Sequence, residues 1–176
     1  YQGDMYYEEE RLTEARQKAL RGNEIVLVPQ SVSYLDPLMK IGKQMLIGRK
    51  DRTTQKKARG LLAKYGLDES VEKLYPFELS GGMARRVLLC MAEMGSPKLV
   101  IADEPTPGLH IEIARRVLGH FRTIAQEGAG VLLITHDLEL ALEVADRVVI
   151  FYAGTTVEET TPQALTDHKT LHHPYT

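Results

Sequence analysis

Four short apolar runs, each closed by polar or turn residues, most constrain what this chain can fold into. They are Ile25-Val26-Leu27-Val28, Leu99-Val100-Ile101-Ala102, Val131-Leu132-Leu133-Ile134 and Val148 to Phe151. Such runs read as buried strands. Between them lie stretches with helical spacing. Residues 53 to 65 place Ala58, Leu61, Leu62 and Tyr65 on one face and stop at Gly66. A helix from Ser80 to about Met94 carries Val87, Leu88, Met91 and Met94 on one side. A longer one has Ile111, Ala114, Val117, Leu118, Phe121 and Ile124 as its stripe and closes at Gly128-Ala129-Gly130. A further helix spans about Asp137 to Val144, and the stretch from Tyr152 to Glu158 turns at Gly154 as a hairpin. The first twenty residues, rich in Glu and Arg, suit an exposed helix ending at Gly22. Strand and helix in alternation imply an α/β fold of parallel strands with helices on the sheet faces.

In such sheets, ligands sit beyond the carboxyl ends of the strands. That rule marks Gln30 after the first run, Asp103-Glu104 after the second and His136 after the third. Each alone could be a polar residue that merely ends a strand. Together they suit metal and phosphate chemistry. Mg²⁺ takes oxygen ligands and keeps several waters, so it needs only one or two carboxylates beside substrate phosphates. Asp103 fits that role, directly or through water. Glu104 can then polarise an attacking water as general base. A neutral His136 can hydrogen-bond a phosphate oxygen or orient a water. Leu79-Ser80-Gly81-Gly82 offers an N-cap serine, two glycines that admit close approach, and a helix N-terminus with free N–H groups. Taken alone, the tetrapeptide reads rather as an ordinary capped helix start after a glycine turn.

Composition closes off other classes. Lys and Arg number 22 against 24 Asp and Glu, a net charge of −2, which gives no electrostatic case for nucleic acid. No apolar run approaches a membrane span, and no signal peptide pattern opens the chain. One cysteine, Cys90, allows neither an internal disulfide nor a zinc pattern, and its apolar helical setting marks a buried inert thiol. The adjacent His172 and His173 read as a solvated tail rather than a metal site.

Taken in order, Val28-Pro29-Gln30, Leu79-Ser80-Gly81-Gly82-Met83, Leu99 to Asp103-Glu104-Pro105-Thr106, and Thr135-His136-Asp137 resemble the Q-loop, signature, Walker B and H-loop of ABC ATPases. Leu20-Arg21-Gly22-Asn23-Glu24-Ile25, Tyr75-Pro76-Phe77-Glu78, Met83 and His173-Pro174-Tyr175-Thr176 look like the oligopeptide, dipeptide and nickel importer branch. The resemblance implies a P-loop NTPase-like, mostly parallel sheet flanked by helices. A helical subdomain of about residues 37–95 would be inserted in a RecA-like core, all within one partial ATPase domain over 1–176. It implies ATP and Mg²⁺ as cofactors, with Gln30 and Asp103 toward the metal, Glu104 as base and His136 as γ-phosphate sensor. Ser80, Gly81, Gly82, Met83 and His110 would contribute to nucleotide binding, the signature residues facing ATP held by a second ATPase domain closed head to tail. The segment between Gln30 and Leu79 would grip a membrane permease, placing the protein on the cytoplasmic face of the membrane.

Departures from the pattern are specific. No stretch matches G-x-x-x-x-G-K-[ST], the loop that cradles phosphates. The sequence therefore reads as incomplete at the N-terminus and cut at the C-terminus, and the 176-residue polypeptide is expected to bind ATP weakly and hydrolyse almost none. Missing strands would also leave apolar sheet surface and an unpaired edge, which favours self-association. Arg85 stands where the family usually has Gln, and His110 where it has Asp. The leading reading is an ATPase subunit powering import of peptides or a nickel-type ligand. The alternatives are a non-transport ABC ATPase and a fragment that folds and pairs without turnover.

Overall fold

Three of the apolar runs pair into one parallel sheet. The computed structural model describes residues 3–46 and 51–166, so the histidine-rich C-terminal segment and its His-Pro-Tyr-Thr stretch lie outside the described residues. The chain starts with a ribbon of β1 (Tyr6–Tyr7) and β2 (Glu10–Arg11) around a two-residue turn. Glu8 and Glu9 both take left-handed backbone there, at φ 49 and 63. Only then does α1 (Glu14–Leu20) begin, with the Thr13 hydroxyl accepting from Arg16 N–H. The single exposed helix expected from the sequence is thus a turn plus a short helix. Its acidic residues carry no signal that separates the two.

Strand β3 (Ile25–Val28) leads through a 3₁₀ turn at Val32–Tyr34 to α2 (Ile41–Met45) and α3 (Arg52–Lys64). Two more 3₁₀ turns, Glu69–Lys73 and Pro76–Glu78, precede α4 (Gly81–Glu93). The sheet resumes at β4 (Leu99–Asp103), crosses through α5 (Ile111–Gln126) and returns as β5 (Gly130–Ile134). The short α6 (Leu138–Leu142) follows, with the Asp137 carboxylate accepting from Leu140 N–H. Then come β6 (Val148–Tyr152), β7 (Thr155–Thr160) and α7 (Pro162–Thr166).

The parallel order is β3-β4-β5, with Ile25 opposite Leu99 and Leu99 opposite Gly130. Two successive right-handed crossovers in one direction place both sets of helices on the same face. That face is the core. Val28, Val100 and Ala102 meet Leu62, Val87, Leu89, Cys90, Val117, Leu118 and Phe121 there, all buried. Burial pushes the Cys90 thiol up to about 12, so it stays protonated and inert at neutral pH.

The opposite face departs from expectation. Leu27, Ile101 and Leu132 are in register across the three strands, and Leu27 and Leu132 are 50% and 52% exposed. Helices cover one face only among the described residues, and β5 alternates between exposed and half-buried rather than being fully buried. Four apolar letters in a row read the same whether one face or both will be covered. The fourth run differs too. Strand β6 pairs antiparallel with β7 and not with the parallel sheet. Ala153 and Gly154, at φ 48 and 82, make the two-residue turn between them. Partners this close in sequence pair at little loop-closure cost, and two positive-φ residues match the strand twist.

Candidate active site

The registers bring the three marked strand ends together. Pro29 has no N–H to extend the ladder, so β3 stops and Gln30 emerges, exposed. Beyond β4 the ladder runs one residue further, because Glu104 N–H donates to the Ile134 carbonyl at 2.9 Å. Glu104 then turns into left-handed backbone at φ 46. For a residue with a Cβ that costs on the order of 1–3 kcal/mol, and it persists only where neighbours over-determine it.

The neighbours are specific. The Glu104 carboxylate accepts from His136 N–H at 3.1 Å and from Thr135 Oγ1 at 3.4 Å, and it meets His136 Nδ1 at 2.7 Å. Its side chain is 16% exposed, whereas that of His136 is 80% exposed. The carboxylate is therefore fixed at the floor while the imidazole projects outward. The hydrogen bond to Glu104 and its charge raise the His136 pKa above the ordinary value near 6.5. The carboxylate thus favours the protonated form of the ring. A raised folded-state pKa stabilises the fold fully below the unfolded value. That contribution is lost as pH rises through the folded-state pKa.

Asp103 ends β4 half-buried, and its carboxylate has no hydrogen bond or ion pair among the described residues. It is free to accept an incoming ligand. No group of three or more His, Cys, Asp or Glu side chains could hold a metal ion among those residues. Asp103 with the Gln30 amide oxygen thus fits an ion that brings most of its ligands with it, as Mg²⁺ does on nucleotide phosphates.

Helix α4 starts beside these tips. The Ser80 hydroxyl accepts from Met83 N–H at 3.2 Å, the expected cap. A Cβ added at Gly81 would meet nothing within 4 Å, and one at Gly82 would meet only Leu109 Cδ2 at an ordinary 3.5 Å. Neither glycine has the positive φ that would demand its type. Packing among the described residues does not require them. Met83 is half-buried against the core. His110 is exposed and stands at the N-cap of α5 without making a side-chain cap bond. It is not brought to the strand tips by any bond, although its neighbour Leu109 lies next to Gly82.

Three residues at the site carry roles the sequence did not assign. Thr135 donates to Glu104 and accepts from Asp137 N–H. Arg86 donates to the carbonyls of Tyr65 and Gly66 at 3.1 and 3.0 Å, satisfying the carbonyl end of α3 and tying it to α4. Arg85 reaches the backbone of both Gln30 and Glu104. For Arg86 the only signal was its place one turn into the signature helix, whereas Arg85 also stood out as a departure from the family pattern.

A parallel sheet whose strand tips carry a Gln, an Asp-Glu pair and a His, beside a serine-capped helix opening on two glycines, defines a nucleotide-binding cassette. The chain belongs to the ABC transporter family, whose sequence pattern matches residues 1–107. It is 39% identical over 167 residues to the oligopeptide transport ATP-binding protein AppD of Bacillus subtilis, covering 89% of this chain and 50% of that protein. It is 34% identical over 177 residues to the dipeptide transport ATP-binding protein DppD of Escherichia coli, covering 95% and 54%. The chain thus spans about half the length of the curated relatives it matches. Among solved structures it resembles the dimeric ATP-binding cassette MJ0796 in a post-hydrolysis state bound to ADP and Pi. The TM-score is 0.82 at 22% identity, over 92% of this chain and 74% of that one, a likeness of fold.

Proposed function

We propose that this chain is the core of an ATP-binding, ATP-hydrolysing subunit of an ABC importer for peptides. The observation that carries this reading is the Glu104 carboxylate, fixed by Thr135 and His136 at the strand tips beside an unpartnered Asp103. In that arrangement Glu104 takes the proton from an attacking water. Asp103 and Gln30 would hold Mg²⁺, which would supply neutralisation of charge on the transferred phosphoryl group. His136 presents its outer ring edge to the γ-phosphate. The names of AppD and DppD favour peptides over nickel as cargo.

Ser80, Gly81, Gly82 and Met83 belong to a composite site in this reading, facing ATP held by a second ATPase domain packed head to tail. Two glycines that packing among the described residues does not need support it, because they leave room for a ligand to approach the backbone. Residues of about 37–95 form the helical subdomain, where Tyr34, Leu38 and Phe77 nearby are 67%, 88% and 75% exposed. These apolar groups suit docking onto a permease, and the reading with it is of a subunit on the cytoplasmic face of the membrane. No helix among the described residues is long and apolar enough to cross a membrane.

The test is Gly81→Ala in the natural gene product assembled with its permease. Gly81 sits in the first turn of a helix, so alanine leaves stability unchanged or raises it by about 0.4–1 kcal/mol. Peptide-stimulated ATP hydrolysis nevertheless falls by about tenfold or more, the size of a lost contact of 1.4 kcal/mol or above. Full turnover in a Gly81→Ala variant would remove the composite site. Stimulation by Ni²⁺ and not by peptide would overturn the cargo.

The 176 residues include no Gly-Lys-Ser or Gly-Lys-Thr phosphate loop. As an isolated polypeptide they bind ATP weakly and turn over almost none. The row Leu27, Ile101 and Leu132 on the uncovered sheet face makes that polypeptide self-associate. Light scattering will show species larger than a monomer, and Leu132→Lys will shift them back toward it, as charge does on exposed strands. An unchanged distribution in Leu132→Lys would place the association elsewhere.

A further inference from the structure

The two strand tips that carry Gln30 and Glu104 are joined by one guanidinium. Arg85 lies on α4, one turn in from the signature glycines. Its Nη2 donates to the Gln30 carbonyl at 2.7 Å, and its Nη1 donates to the Glu104 carbonyl. Gln30 and Glu104 are 74 positions apart in sequence, and the β3–β4 ladder ends before either of them. Without Arg85, no hydrogen bond among the described residues ties the Gln30 backbone to the Glu104 turn.

The second bond falls where backbone conformation is least favourable. Glu104 is a non-glycine residue at φ 46, and its carbonyl direction depends on that turn. Its amide is held by Ile134 and its carboxylate by Thr135 and His136. Arg85 supplies the restraint on the remaining backbone group. A planar fork with several fixed N–H donors can satisfy two carbonyls at once, which a single ammonium or a shorter amide does less well.

We propose that Arg85 is a positioning residue, which clamps the Gln30 loop to the Glu104 turn and so sets the aim of the Glu104 carboxylate. This rests on the reading of Glu104 as the hydrolytic base. Both bonds of the Arg85 guanidinium go to backbone carbonyls of this chain. It acts through Glu104, and it makes the placement of that carboxylate depend on the loop that begins at Gln30. A displacement of Gln30 would be passed to Glu104 through two hydrogen bonds on one side chain.

The test uses the natural gene product carrying this chain, with Arg85→Ala, Arg85→Gln and Arg85→Lys. In Arg85→Ala, kcat for ATP hydrolysis falls by about 10- to 100-fold, as expected for a misaimed group. KM for ATP moves by less than about threefold, because uniform binding is untouched. Arg85→Lys and Arg85→Gln each recover part of kcat. Amide exchange gives a readout independent of turnover. His136 N–H, which donates to Glu104, exchanges about tenfold faster in Arg85→Ala, a loss of local protection, while amides in the middle of α4 keep theirs.

Turnover within twofold of wild type together with unchanged His136 exchange overturns the proposal. So does a loss of kcat accompanied by faster exchange throughout α4 and a lower Tm, because Arg85 would then be merely structural. If the wild type itself hydrolyses no ATP, the ATPase reading fails. The His136 exchange rate still decides whether Arg85 holds the Glu104 turn.

Discussion

Glu104→Gln lowers ATP hydrolysis by about 10²- to 10⁴-fold, the usual worth of a positioned general base, while nucleotide binding stays within a few-fold of wild type. The substitution is nearly isosteric. The amide oxygen of Gln can still accept from His136 N–H in place of Oε1, and its NH2 group, standing in for Oε2, can donate to Thr135 Oγ1. The left-handed turn at position 104 is therefore retained, and what disappears is the ability to take a proton and the negative charge. Both losses can be read separately. Single-turnover hydrolysis reports the first. The second shows in an NMR titration of His136, whose pKa drops toward its ordinary 6.5 because the hydrogen bond and charge that raised it belong to Glu104. The fold's extra stability below pH 6.5 that comes from this pair is lost in the variant. Hydrolysis within threefold of wild type would take the role of base away from Glu104.

Phe121→Ala costs about 3–5 kcal/mol, the range for emptying an aromatic site in a core. Phe121 is 3% exposed on α5, between Val117, Leu118 and Ile124, which are also buried. Helix α5 is the crossover that carries the chain from β4 to β5, so the same packing holds Asp103-Glu104 and His136 in register. Domains are typically stable by only 5–15 kcal/mol, and the loss is a large share of that. Each kcal/mol shifts Tm by about 2–4 °C at this size, so a fall of roughly 6–20 °C is expected. Urea unfolding will show a lower midpoint at an unchanged slope. A Tm within 2 °C of wild type would mean that α5 is not part of the core.

The sheet's central pairing was legible because the short apolar runs of β3, β4 and β5 leave few alternatives once helices separate them. The helix starts were legible where a side chain encodes them, as with Ser80 and Asp137. Gln30, Asp103, Glu104 and His136 were found by one rule, that ligands gather at the carboxyl ends of parallel strands, and the register places them there. The turn at Glu8-Glu9 was not legible. Two glutamates in left-handed backbone are a conformation that nothing in their type requires.

Sequence by itself determined the order of strands and helices, the polar residues at the strand ends and the absence of a phosphate loop within these residues. Those properties are local, set by the period of apolar side chains and by the chemistry of a few letters. The tertiary structure alone decided which sheet face is covered, that the β6–β7 hairpin stays apart from the parallel sheet, and that the Glu104 carboxylate meets His136 Nδ1 at 2.7 Å. It alone decided, too, that Arg85, a departure from the family pattern when read as a letter, bridges Gln30 and Glu104. The contacts of Glu104 with His136 and of Arg85 with both loops depend on groups far apart in sequence meeting at hydrogen-bond distance, and spacing along the chain carries no record of that.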